Sequence, residues 1–178
     1  MKLIFLDFDG VLNSHAWMAG EVYKNKPSLY ADRLAWHLGK IDPAAVLRVS
    51  RIVQETDARI VISSAWRSSS HHCGSTAYLG ALLARHGLQE HRKRVIGITP
   101  DVTDRRPGKP PIQIVGSDRW SEIRMYLDGA PECDRFVVID DDPVIGTPAE
   151  NFVRTDYTVG LTDVDAEKAI AILHGEAI

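Results

Sequence analysis

The chain opens with an apolar run, Lys2-Leu-Ile-Phe-Leu-Asp7-Phe, which predicts a strand over residues 2 to 8 that breaks at Gly10. Two further runs have the same character, Arg59-Ile-Val-Ile-Ser63-Ser64 and Arg135-Phe-Val-Val-Ile-Asp140-Asp141-Asp142. Their near-continuous apolar character predicts strands buried on both faces. Residues 94–98 give a shorter strand. Helical spacing fills much of the rest. Asp42 is a good N-cap with Pro43 at the first helical position, and Val46, Val49, Ile52 and Val53 form one stripe of a helix running to Thr56. A second helix is expected over 75–85, ended by Gly87, and a third over 118–127, capped by Ser117. Thr162 with Asp165 has the form of a capping box and opens a terminal helix that ends near His174-Gly175.

Strands alternating with helices imply a mainly parallel sheet covered on both faces. The expected architecture is one Rossmann-like three-layer α/β domain over residues 1–178, with a small or absent cap. Two segments resist this scheme. Residues 13–40 read as an irregular connection carrying Trp17, Tyr23, Tyr30 and Trp36, which could stack on a base or sugar or pack the insert itself. Residues 101–111 read as a loop rich in Pro, Gly and charge. Lids or substrate loops are therefore expected within 13–40 and 66–117.

Composition narrows the function without identifying it. Hydrophobic residues make up 44% and charged residues 25%, the balance of an ordinary globular chain. A net charge of −3 argues against a generally basic nucleic-acid-binding surface, although Arg105, Arg106 and Lys109 form a local basic loop. No apolar stretch is long enough to span a bilayer, and Leu3–Leu6 is too short for a secretory signal, so a cytoplasmic protein without a membrane partner is expected. Cys73 and Cys133 form no CxxC pair and are expected as reduced thiols. His71 and His72 beside Cys73 lack zinc-ligand spacing and read as a solvated loop. The glycines form no GxGxxG or P-loop pattern, and no feature points to a protein partner.

The chemistry is concentrated at strand ends. Asp7 and Asp9, two apart on an extended strand, would project together about 6.6 Å apart, at roughly 3.3 Å rise per residue. Two such carboxylates repel unless a cation or a shared proton offsets them. In a parallel sheet, ligands gather beyond the carboxyl ends of the strands. That rim would bring Asp7 and Asp9 together with Ser63, Ser64, Asp140 and Asp141. Hard oxygen ligands of this kind suit Mg²⁺ better than zinc or copper.

In that order, Asp7-Phe-Asp9-Gly-Val11, Ile62-Ser63 and Ile139-Asp140-Asp141 resemble the first, second and fourth motifs of the haloacid-dehalogenase (HAD) superfamily of aspartate-nucleophile phosphohydrolases. The resemblance covers nearly the whole chain. It implies Asp7 as nucleophile, Asp9 as acid–base, and Ser63 as a hydrogen-bond partner of the transferring phosphoryl group. It implies Mg²⁺ held by the Asp7 carboxylate, the Asp9 backbone carbonyl and Asp141, with Asp140 beside it. The basic third motif falls on Arg119, with Lys109 as the alternative. Ser64 competes with Ser63, and Arg67 is placed either to touch substrate or to pair with an acid. The phrases Val61-Ile-Ser-Ser-Ala-Trp66-Arg67 and Arg119-Trp-Ser-Glu-Ile123 resemble a branch of HAD domains that also occurs in RNA-repair fusion proteins. That likeness implies a Mg²⁺-dependent phosphomonoester hydrolase acting on a nucleotide or polynucleotide-end phosphate. A small-metabolite phosphatase, a phosphotransferase or mutase, and a non-catalytic binding domain are the alternatives.

Overall fold

The structure, a computed structural model, describes residues 1–67, 74–101 and 119–176, with the backbone of 103–104 and 112–113. In chain order the elements begin with β1 (Lys2–Leu6), α1 (His15–Ala19), α2 (Glu21–Lys24), α3 (Arg33–Lys40) and α4 (Pro43–Thr56). They continue with β2 (Arg59–Ile62), a 3₁₀ turn at Ala65–Arg67, α5 (Thr76–Arg85), α6 (His91–Arg94) and β3 (Val95–Ile98). The remainder are β4 (Thr103–Asp104), β5 (Ile112–Gln113), α7 (Arg119–Asp128), β6 (Arg135–Asp140), β7 (Phe152–Arg154) and α8 (Asp163–His174), with a 3₁₀ turn at Ala149–Asn151.

Five strands form an entirely parallel sheet in the order β3-β2-β1-β6-β7. The most apolar strand, β1, lies at its centre. Leu3, Ile4, Phe5 and Leu6 are all fully buried, and each such side chain contributes about 1.5–3 kcal/mol. Alternate residues feed opposite layers. Ile4 and Leu6 join Ile60, Ile62, Val137 and Ile139 in the core under α4, α5 and α8. Leu3 and Phe5 join Val61, Val138 and Ile123 of α7 on the other side. Helices on both faces of a parallel sheet make this the expected Rossmann-like α/β fold.

Local signals set the helix ends that were expected from them. The Asp42 carboxylate accepts from the Ala44 N–H, and Ser75 caps α5 by accepting from Tyr78 N–H. Thr162 and Asp165 form the reciprocal capping box of α8, which ends at left-handed Gly175. Ser117, proposed as the cap of α7, lies outside the described residues.

Three expectations are corrected. The stretch 13–40 is not irregular, since it holds α1, α2 and α3. These helices have only 5, 4 and 8 residues, α1 and α2 too short to establish an apolar period, and Ser14 and Asp32 cap two of the three through side-chain bonds. The first strand stops at Leu6 rather than residue 8. The Phe8 carbonyl accepts from the N–H groups of Val11, Leu12 and Asn13, which curls the chain into a turn. Within 101–111, Thr103–Asp104 pairs antiparallel with Ile112–Gln113. The edge strand β7 and helix α6 were not anticipated, having 3 and 4 residues. No described helix is long and apolar enough to cross a membrane.

Candidate active site

The sheet builds the site by carrying its ladder one residue past each strand. Asp7 N–H donates to the Ile139 carbonyl, Ser63 N–H to Leu6, Thr99 N–H to Ile62 and Thr155 N–H to Asp140. These bonds fix the residues following β1, β2, β3 and the edge at β7 along one rim. Asp140 ends β6 on the same rim.

Asp7, Asp140 and Asp141 converge there, each offering a carboxylate oxygen within 4.8 Å of the others. Asp7 and Asp140 are buried and Asp141 is half-buried. Burial pushes the Asp7 carboxyl up to about 6, against the opposing pull of Arg119. Burial and then the charge of Asp7 push Asp140 up to about 7. Burial and then Asp142 raise Asp141. Three crowded carboxylates that resist ionisation together form a donor set suited to a hard divalent cation, whose charge would offset their repulsion. Gly10 makes room for this cluster. Its φ is +70°, and a Cβ there would overlap the Asp141 carboxyl. Thr155 Oγ1 donates to the Gly10 carbonyl at 2.9 Å and ties this turn to the β7 edge.

Asp9 is not one of that group of three, but its charge adds to burial in raising both Asp7 and Asp141. Its side chain turns to protein donors, accepting from Asn13 Nδ2 at 2.8 Å and from Trp66 Nε1 at 3.1 Å. The strand β1 stops at Leu6, so Asp7 and Asp9 are not i and i+2 of one strand, yet the charge of Asp9 still raises Asp7.

Arg119 reaches the rim from the first residue of α7. Its guanidinium lies 3.9 Å from Asp7 Oδ1 and 3.6 Å from Asp140 Oδ2, and it donates to the Ser63 carbonyl. Lys109, the alternative basic residue, lies outside the described residues, as do Arg105, Arg106, His71, His72 and Cys73. The two serines separate cleanly. Ser64 Oγ accepts a hydrogen bond from Trp66 N–H at 3.3 Å, and its hydroxyl pulls the Asp7 carboxyl down against the larger effect of burial. Among the described residues, Ser63 Oγ is buried with no hydrogen-bond partner. A buried hydroxyl in that state is costly, which suits a group that meets a ligand.

Arg67 pairs with an acid. Its Nη2 is 2.5 Å from Glu122 Oε2 of α7, and its Nη1 donates to the Ser64 carbonyl at 2.9 Å. Burial lowers Arg67 and raises Glu122 from their ordinary values, against the attraction each gives the other. Trp17 and Trp36 pack the insert, with Trp17 Nε1 donating to the Gly39 carbonyl and Lys40 over Trp36, while Tyr30 is 98% exposed. Sequence reading gave no separate weight to Trp66, Glu122 or Thr155. Only the placement of Trp66 three residues after Ser63 hinted at its position, and Glu122 and Thr155 carry no local mark.

Compared with known proteins, the chain from Leu3 to Ala166 matches the model of a family described as the HAD domain in Swiss Army Knife RNA repair proteins, residues 3–166. That span includes every rim residue named above. No curated protein and no solved structure matches the chain.

Proposed function

Because the chain belongs to the family of HAD domains in Swiss Army Knife RNA repair proteins, we propose that it is a Mg²⁺-dependent phosphomonoester hydrolase working through an aspartyl-phosphate. Family membership supports a HAD-type hydrolase. The observation that carries the finer reading is the convergence of Asp7, Asp140 and Asp141 beside Arg119 and the unpartnered Ser63 hydroxyl.

An Asp7 carboxylate oxygen attacks phosphorus as the bond from phosphorus to the leaving oxygen breaks, and Asp9 gives that oxygen its proton. Water then attacks phosphorus and loses a proton to the Asp9 carboxylate. The bond from phosphorus to Asp7 breaks, returning the aspartate and releasing inorganic phosphate. Splitting the displacement in two lowers each barrier. Ser63 Oγ and Arg119 hydrogen-bond the phosphoryl oxygens and stabilise charge spread over them. The Asp7 carboxylate, the Asp9 backbone carbonyl, Asp141 and Asp140 would hold Mg²⁺, which would supply charge neutralisation for an anionic nucleophile meeting an anionic substrate.

The substrate class we propose is a nucleotide or polynucleotide-end phosphate, in keeping with the family description. The net charge of −3 favours a second reading, a small phosphorylated metabolite. Phosphate release from 3′- and 5′-phosphorylated oligonucleotides, mononucleotides and sugar phosphates, with Mg²⁺ and with EDTA, separates the two. Asp7→Asn should abolish turnover while leaving the protein folded. Full Mg²⁺-dependent turnover by that variant would exclude the covalent route, and phosphorylation of an added acceptor alcohol without phosphate release would point to a transferase.

A further inference from the structure

Trp66 lies on the 3₁₀ turn after β2 and is 2% exposed. Its indole Nε1–H is shared between both oxygens of the Asp9 carboxylate, 3.1 Å from each. Asn13 Nδ2 adds a second donor to Oδ1 only, at 2.8 Å. The Asn13 amide is itself fixed, because its oxygen accepts from the Gly10 N–H at 3.1 Å. Among the described residues, Oδ1 therefore accepts two hydrogen bonds and Oδ2 a share of one. A carboxyl group carries its proton on a single oxygen, and the oxygen with remaining capacity is Oδ2.

The indole has little freedom to turn. Its backbone N–H bonds Ser64 Oγ, its ring packs at 5.0 Å on Phe8, and Lys40 Nζ of α3 stands 4.9 Å from the ring centroid. The 13–40 insert thus backs the indole from one side, and the second strand end holds it from the other.

We propose that Trp66 is a positioning residue for the acid–base carboxyl, fixing its plane so that Oδ2 is the oxygen that gives a proton to the leaving group and takes one from water. This rests on the acid–base role given to Asp9 above. In the first step Oδ2–H passes its proton to the ester oxygen as the bond from phosphorus to oxygen breaks. In the second, the ionised carboxylate receives a water proton on the same oxygen.

Leaving-group dependence tests it, because a p-nitrophenolate departs without protonation and an alkoxide does not. Leaving-group release is measured in the first turnover, with p-nitrophenyl phosphate and with an alkyl phosphomonoester, for Trp66→Phe, for Asp9→Asn, and for protein carrying 3-benzothienylalanine at position 66. The last keeps the bicyclic shape and replaces N–H by sulfur, so it serves if Trp66→Phe unfolds. A general acid contributes about 10²–10⁴-fold. The expected result is that the position-66 changes slow alkyl release by about 10- to 100-fold, the aryl substrate by about threefold or less, and that Asp9→Asn shows the same pattern more strongly. Equal losses on both substrates, or no loss with benzothienylalanine, overturn the positioning role while Asp9→Asn still upholds the mechanism. An Asp9→Asn variant without leaving-group dependence overturns both.

Discussion

At the residue scale, Asp140 carries a strongly shifted carboxyl of the rim. Its carboxyl is pushed up to about 7 from an ordinary 3.8, first by burial and then by Asp7. Such a group keeps its proton in the folded protein between about pH 4 and 7, where the unfolded chain has lost it. Its contribution to stability is full below that window and declines as pH rises through it. Asp140→Asn removes this penalty and retains an oxygen for the Asp142 N–H, which now bonds Asp140 Oδ1 at 3.0 Å. Without divalent cation, the melting temperature of Asp140→Asn should gain on the wild type steadily from pH 4 to 7. Parallel curves would mean that Asp140 is ionised in the folded protein. Sequence pattern identified the acids at this scale but not their states, since burial and neighbouring charge are set by distant segments.

At the scale of elements, α7 positions Arg119, and the Arg67–Glu122 pair secures α7 to the turn after β2. Glu122 is one turn beyond Arg119 on that helix. Removing one partner of a buried pair leaves the other charge stranded, which costs about 3–5 kcal/mol, whereas replacing both with apolar groups costs far less. Glu122→Ala should therefore destabilise by about 3 kcal/mol in urea unfolding and lower turnover by loosening Arg119. The double change Arg67→Met with Glu122→Leu should recover most of the stability. A single-variant cost under about 1 kcal/mol, as for an exposed pair, would show that the contact does not anchor the helix. The helices whose bounds were legible, α4, α5 and α8, carry caps and enough turns to repeat an apolar stripe. In α1 and α2 there are too few residues for a period to appear and neither buries a residue, so the Ser14 cap and the Trp17 indole bond to the Gly39 carbonyl hold α1.

Across the whole molecule, the parallel sheet collects like charges that a cation would relieve, so fold stability and metal binding should be linked. A ligand at about 100 times its Kd adds roughly 2.7 kcal/mol, and for a chain of 178 residues each kcal/mol raises the melting temperature by about 2–4 °C. Saturating Mg²⁺ should then raise it by about 5–10 °C, and Asp141→Asn should lose most of that rise in differential scanning fluorimetry. An identical rise in the variant would move the cation away from this cluster. Legible in the sequence were the central strands, the bounds of the longer helices α4, α5, α7 and α8, and the acidic or hydroxyl residues at the ends of β1, β2 and β6. Those properties follow from apolar period, caps and breakers, all readable within a few neighbouring residues. Left to the folded chain were the strand order, the pairing of Arg67 with Glu122, and the hold of Trp66 on Asp9 across 57 residues of chain. Such contacts arise when burial of the whole sheet brings remote segments together, and no local stretch of sequence contains that energy.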